Sequence, residues 1–148
     1  MSEDYSGLKP VQPYFVFDTQ NFRQEVCLRD GISHFYSFTT ESEKAQRLVP
    51  DGCIDMFFEY DPSRPGHMHS YVAGTKLSYT VDSRLFHNEI FGVRFMPGNR
   101  PAMLDVTMKD LLGKRIESEY ALRGDISWLG LMARETNFYG RMQIFSEH

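Results

Sequence analysis

Leu48-Val49-Pro50-Asp51-Gly52-Cys53-Ile54-Asp55-Met56-Phe57-Phe58-Glu59-Tyr60 is the stretch on which the reading of this chain turns. Pro50-Asp51-Gly52 is a turn signal, because proline presets φ and glycine accepts backbone conformations closed to other residues. After the turn the side chains alternate as on a strand. Ile54, Met56, Phe58 and Tyr60 fall on one face, and Cys53, Asp55, Phe57 and Glu59 on the other. The first face is core; the second is mixed.

Working outward, the same logic predicts further strands. Tyr14-Phe15-Val16-Phe17 and Ile32 to Thr39 are aromatic and β-branched runs, the second introduced by the turn Asp30-Gly31. Asp61 to Gly66, with two prolines, is a loop. His69 to Ala73 and Leu77 to Val81 are weaker strands on either side of Gly74, and Glu89 to Met96 is a strong one ended by Pro97-Gly98. Beyond Pro101 the period becomes helical. Thr107 and Asp110 form a capping pattern for a short helix that Gly113 can stop. Asp125 is placed to cap a helix with Ile126, Leu129, Gly130 and Ala133 on one stripe. Asn137 is placed to cap another with Phe138, Met142 and Phe145. Strands followed by helices predict a mainly β fold, a barrel or sandwich with segregated C-terminal helices. The expected organisation is a loose arm over residues 1–12, a β-barrel over 13–99 and a helical segment over 100–148. The last helical pattern runs to His148 without a stop signal, which predicts a further segment after it.

The 148 residues suit one domain, with 41% hydrophobic and 24% charged side chains. Sixteen basic and 20 acidic side chains leave a net charge of −4, and neither half is basic. A stand-alone nucleic-acid binder would carry a basic footprint to displace counterions. Two cysteines are too few for a disulfide scaffold. No apolar run is long enough to span a bilayer, and Met1 to Tyr5 does not resemble a secretion signal, so a cytoplasmic chain without membrane contact is expected.

For chemistry, His67 and His69 are spaced to point one way from a strand and could hold a metal. Neither a following carboxylate in Ser70 to Gly74 nor a histidine in Phe95 to Asn99 completes the ligand set, so no metal or other cofactor is expected. Cys53 lies between Asp51 and Asp55, which disfavour a thiolate, and reads as a packed strand residue rather than a nucleophile. Asp55 and Arg94 each sit in a strong strand and should pair across the interior. No phosphate-binding, nucleophile-elbow or zinc-protease motif occurs. Twelve Phe, 8 Tyr and 1 Trp exceed what a small core needs and could line an apolar pocket with a few polar groups. Asp55, Phe57, Arg94, Phe35 and Tyr71 are the candidates for it. Leu129, Met142 and Phe145 are the candidates for a self-association surface, because the helices carry more apolar residues than one side of a barrel can cover.

Leu48 to Phe58 resembles a signature strand of a group of AraC-type transcriptional regulators, in the domain that precedes their DNA-binding part. Phe91-Gly92-Val93-Arg94-Phe95-Met96-Pro97-Gly98 is similar to that domain's second signature, Val72-Ala73-Gly74 to the glycine-bearing strand between them, and Ala102 to Leu112 to the small helical segment that follows. The likeness covers roughly residues 30–115. It implies a cupin-like, jelly-roll β-barrel that senses a small-molecule effector or forms a homodimer in a bacterial regulator. It also implies that DNA is bound only through a C-terminal helix-turn-helix half which this chain lacks. The alternative from another class is a small cupin-type metal-dependent enzyme using His67 and His69.

Overall fold

A computed structural model describes residues 20–39, 45–48, 52–74, 80–83, 89–98 and 100–148. The expected arm at 1–12 and the strand at 14–17 lie outside the described residues. Among the described residues there are eight strands: β1 (Gln20–Arg29), β2 (Ile32–Thr39), β3 (Ala45–Leu48), β4 (Asp55–Tyr60), β5 (Met68–Ala73), β6 (Thr80–Ser83), β7 (Glu89–Phe95) and β8 (Arg115–Glu117). Six of them form one antiparallel sheet in the order β1-β2-β7-β4-β5-β8, and β3 pairs with β6 in a second. Four helices follow: α1 (Met108–Leu111), α2 (Ser118–Ala121), α3 (Trp128–Arg134) and α4 (Phe138–Ser146). The fold is mainly antiparallel β with C-terminal helices.

The alternation in β4 sets the layers. Ile54, Met56, Phe58 and Tyr60 pack in one core with Phe35, Phe91, Val93 and Phe95 from the neighbouring strands and with Trp128, Met132, Phe138 and Phe145 from α3 and α4. The opposite face of the same sheet is also buried, and carries Tyr36, Phe38, Phe57, Tyr71, Ala73 and Ile90. Burial on both faces explains why β4 and β7 read as nearly continuous apolar runs. Asp30 and Gly31 both take positive φ, 56° and 76°, which matches the two-residue turn that joins twisted antiparallel strands. Gly74 ends β5 where a side chain would collide with the Leu111 carbonyl, and its N–H donates to Lys114 O at 3.0 Å. That close approach brings α1 and β8 onto the sheet.

The helical expectations divide. Thr107 and Asp110 form a full capping box on α1, with bonds of 3.0 and 3.1 Å. Asn137 caps α4 by accepting from Tyr139 N and Gly140 N. Asp125 does not cap α3. Its carboxylate accepts from Ser127 N two residues on, a local turn, and Ser127 takes the cap position without a side-chain bond. The segment expected to be helical, residues 100–148, also contributes β8, which pairs with β5 from Tyr71 to Ala73. Three residues, Arg115-Ile116-Glu117, are too few for a period to be visible.

The capping box carries a pH dependence of definite sign. Hydrogen bonds from Thr107 hold the Asp110 carboxyl below the usual carboxylate range. A depressed pKa means the cap's contribution is present above the unfolded-chain value and is lost as pH falls through the folded one. The α1 amides should therefore lose hydrogen-exchange protection on acidification, and Asp110→Asn should flatten that response.

Candidate functional site

Asp55 of β4 and Arg94 of β7 stand directly opposite each other. Arg94 Nε donates to both carboxylate oxygens of Asp55, at 2.9 and 3.0 Å, and Nη2 donates to Oδ2 at 2.9 Å. Tyr36 Oη donates to the same Oδ2 at 2.5 Å. The two charged side chains are 4% and 6% exposed, so their charges are held away from water and rely on these bonds. Tyr36 lies on β2, two strands from Asp55, with β7 between them. Its ring crosses that intervening strand over Gly92, its cross-strand partner, where any side chain would collide with the ring. Gly92 is thus what allows a phenol on β2 to reach a carboxylate on β4.

The surroundings of the pair are aromatic. Phe57 and Tyr71 have ring centroids 5.1 Å apart, Tyr36 meets Phe57 edge-on at 6.3 Å, and the Arg115 guanidinium lies 4.5 Å from the Tyr71 centroid. Asp55, Phe57, Tyr71 and Arg94 are brought together on one face, as the alternation of their strands requires. Phe35 is not with them. Its register opposite Val93 turns it to the helix side, where it packs with Phe91 and Phe145 at centroid distances of 6.0 and 5.9 Å. The adjacent Tyr36 takes the position expected of Phe35. The two turns flanking the pair are joined as well: Phe95 N donates to Ile54 O at 2.9 Å and Gly98 N to Gly52 O at 3.0 Å.

The family model described as a domain of unknown function, DUF6597, matches residues 20–117, well over half of the chain. This chain belongs to the DUF6597 family. No curated protein and no solved structure matches it. The DUF6597 span begins with β1 and ends with β8, so it takes in the whole six-stranded sheet, including Tyr36, Asp55, Gly92 and Arg94, and leaves α2 to α4 outside.

Elsewhere in the DUF6597 chain, His69 Nε2 lies 2.6 Å from Glu117 Oε2, across the β5–β8 edge. This carboxylate, 48 residues away in sequence, could not be foreseen without β8. His67 sits in an exposed loop, and among the described residues no three metal-ligating side chains converge. Cys53 is buried. No described helix is long and apolar enough to cross a membrane.

Of the three residues expected on a self-association surface, Leu129 and Met142 are partly buried, while Phe145 is 2% exposed inside the core. Its surroundings are Phe35, Phe58, Phe95 and Trp128. Phe138 and Phe145 of the α4 stripe are core residues, and Met142 and Leu129 pack at the margin of that core. Leu131 and Tyr139 are the large apolar side chains that α3 and α4 leave exposed.

The residue that the sequence hid most completely is Arg141. It is buried on α4, its guanidinium 3.7 Å from the Tyr60 ring centroid, with Nη1 donating to Glu89 at 2.6 Å and Nε to Glu135 O at 2.9 Å. Tyr60 Oη donates to Met132 O of α3 at 2.8 Å. Burial pushes the Tyr60 hydroxyl well above its ordinary range, against the opposing influence of Arg141, so it stays a neutral donor.

Proposed function

We propose that this chain is the regulatory domain of an AraC-type transcriptional regulator. It takes a small-molecule effector against the buried face of a cupin-like β-barrel and brings two copies together, and DNA contact falls to a helix-turn-helix half outside these 148 residues. The observation that carries the reading is that the two regulator-like stretches are one physical unit. Their turns are hydrogen-bonded to each other, and each supplies one partner of the Asp55–Arg94 pair. A few oriented polar groups set among aromatic rings are the usual build of a small-molecule site. The alternative of a cupin-type metal enzyme is favoured by no contact among the described residues, since His69 is engaged by Glu117.

The test is functional. The chain is fused to a helix-turn-helix half that binds paired half-sites only when dimerised, and operator occupancy is measured with and without cell extract. Occupancy that depends on the fused chain and responds to extract supports the sensor. Failure to restore occupancy under any condition removes it. The same reading predicts an interface on the exposed helix surface. Leu131→Asp with Tyr139→Asp should shift the chain from dimer to monomer in sedimentation at micromolar concentration while leaving its circular dichroism intact, and a wild-type chain that sediments as a monomer would refute the interface.

A further inference from the structure

We propose that Arg141 is a latch by which α4 reports the state of the Asp55–Arg94 pair, the two being mechanically coupled through the β4–β7 ladder. Asp55 with Arg94, and Tyr60 with Glu89, are the two end pairs of that ladder. The first end is fixed on one face of the sheet by the ion pair and Tyr36. The second is fixed on the other face by Arg141, which lies on the Tyr60 ring and bonds Glu89, spanning both strands from α4. Tyr60 is in turn bonded to α3. The two clamps are five residues apart along β4, about 17 Å at the usual strand rise. A slide or splay of β7 against β4 must disturb both, because the strands between them are held by a continuous ladder.

The choice of residue supports a latch rather than a plain packing contact, because one guanidinium engages both strands at once, lying on the Tyr60 ring of β4 and donating to Glu89 of β7. Glu89 is 42% exposed at its side chain, so the far partner of the pair is already near solvent. As an account of regulation this rests on the sensor role proposed above. As a coupling it is measurable on the chain alone, so it can fail while the sensor reading stands, and the reverse.

The experiment uses native-state hydrogen exchange and NMR on the 148-residue chain. Tyr36→Phe removes one bond at the first clamp and keeps the ring. The α4 amides from Arg141 to Ser146 should then exchange about fivefold faster or more, the lower range of measured site-to-site coupling, while the α1 amides keep their rates. Because coupling is reciprocal, Arg141→Met should accelerate exchange of the Arg94 Nε–H by a similar factor. Unchanged α4 rates in Tyr36→Phe overturn the proposal, as does equal acceleration of α1, which is general loosening. An unchanged Arg94 Nε–H in Arg141→Met overturns it from the other end, without any change at Tyr36.

Discussion

Asp55→Asn should destabilise the fold by ~3–5 kcal/mol, the usual consequence of leaving one member of a buried ion pair without its counter-charge. Arg94 is the residue left behind. Its Nε donates to both oxygens of Asp55 and its Nη2 to one of them, and a neutral amide cannot accept these bonds as a carboxylate does. Tyr36 also loses a charged acceptor. Burial makes this a large effect, since an exposed pair is worth only ~0–1 kcal/mol. Arg94→Met should cost a similar amount by stranding the carboxylate. The double variant should cost much less than the sum, because it removes the orphaned charge. Urea denaturation of the four proteins gives the coupling energy; a value below ~0.5 kcal/mol would mean that the pair does not act as a unit.

The second large effect concerns Phe145. Phe145→Ala should lower stability by ~3–5 kcal/mol, the range for deleting a ring from a packed core. Four aromatic side chains from both layers surround this ring, at centroid distances from 5.8 to 6.4 Å. They belong to strands and helix ends that cannot all collapse into the space it leaves. The loss should be independent of protein concentration, which separates a core role from an interface role. A thermal midpoint that recovers as concentration is raised would return Phe145 to a subunit interface.

What the sequence made legible follows from how much surface each residue has to commit. β4 and β7 are runs rich in large apolar side chains and bounded by turn residues, with Asp55 in one and Arg94 in the other, and from these their turns, their division into two faces and the Asp55–Arg94 meeting could be read. The α1 and α4 caps were legible because a cap is a local bond between residues two or three apart. β1 was not, since its exposed Arg23, Glu25 and Arg29 are the polar side chains expected of a sheet edge and leave no apolar period. Choosing between Phe35 and Tyr36 needed the register of β2 against β7, because both faces of β2 are buried and either residue satisfies the pattern. Gly92 read as part of a signature and not as the floor under a tyrosine from another strand. Arg141 was invisible for the opposite reason: a basic residue on a helix is ordinarily solvated, and its burial depends on Tyr60 and Glu89 arriving from far along the chain.

The strand order also has a temporal side. β1–β2 and β4–β5 are hairpin partners close in sequence, whereas β7 enters between β2 and β4 from a distance. β7 follows both hairpins in the chain, so during synthesis both leave the ribosome before the strand that joins them does. A nascent chain that has not yet released Phe95 thus holds two unpaired sheet edges awaiting the same insertion, and those edges are the surfaces most open to pairing with another molecule. The arrival of Glu89 to Phe95 therefore closes both aggregation-prone edges in one event.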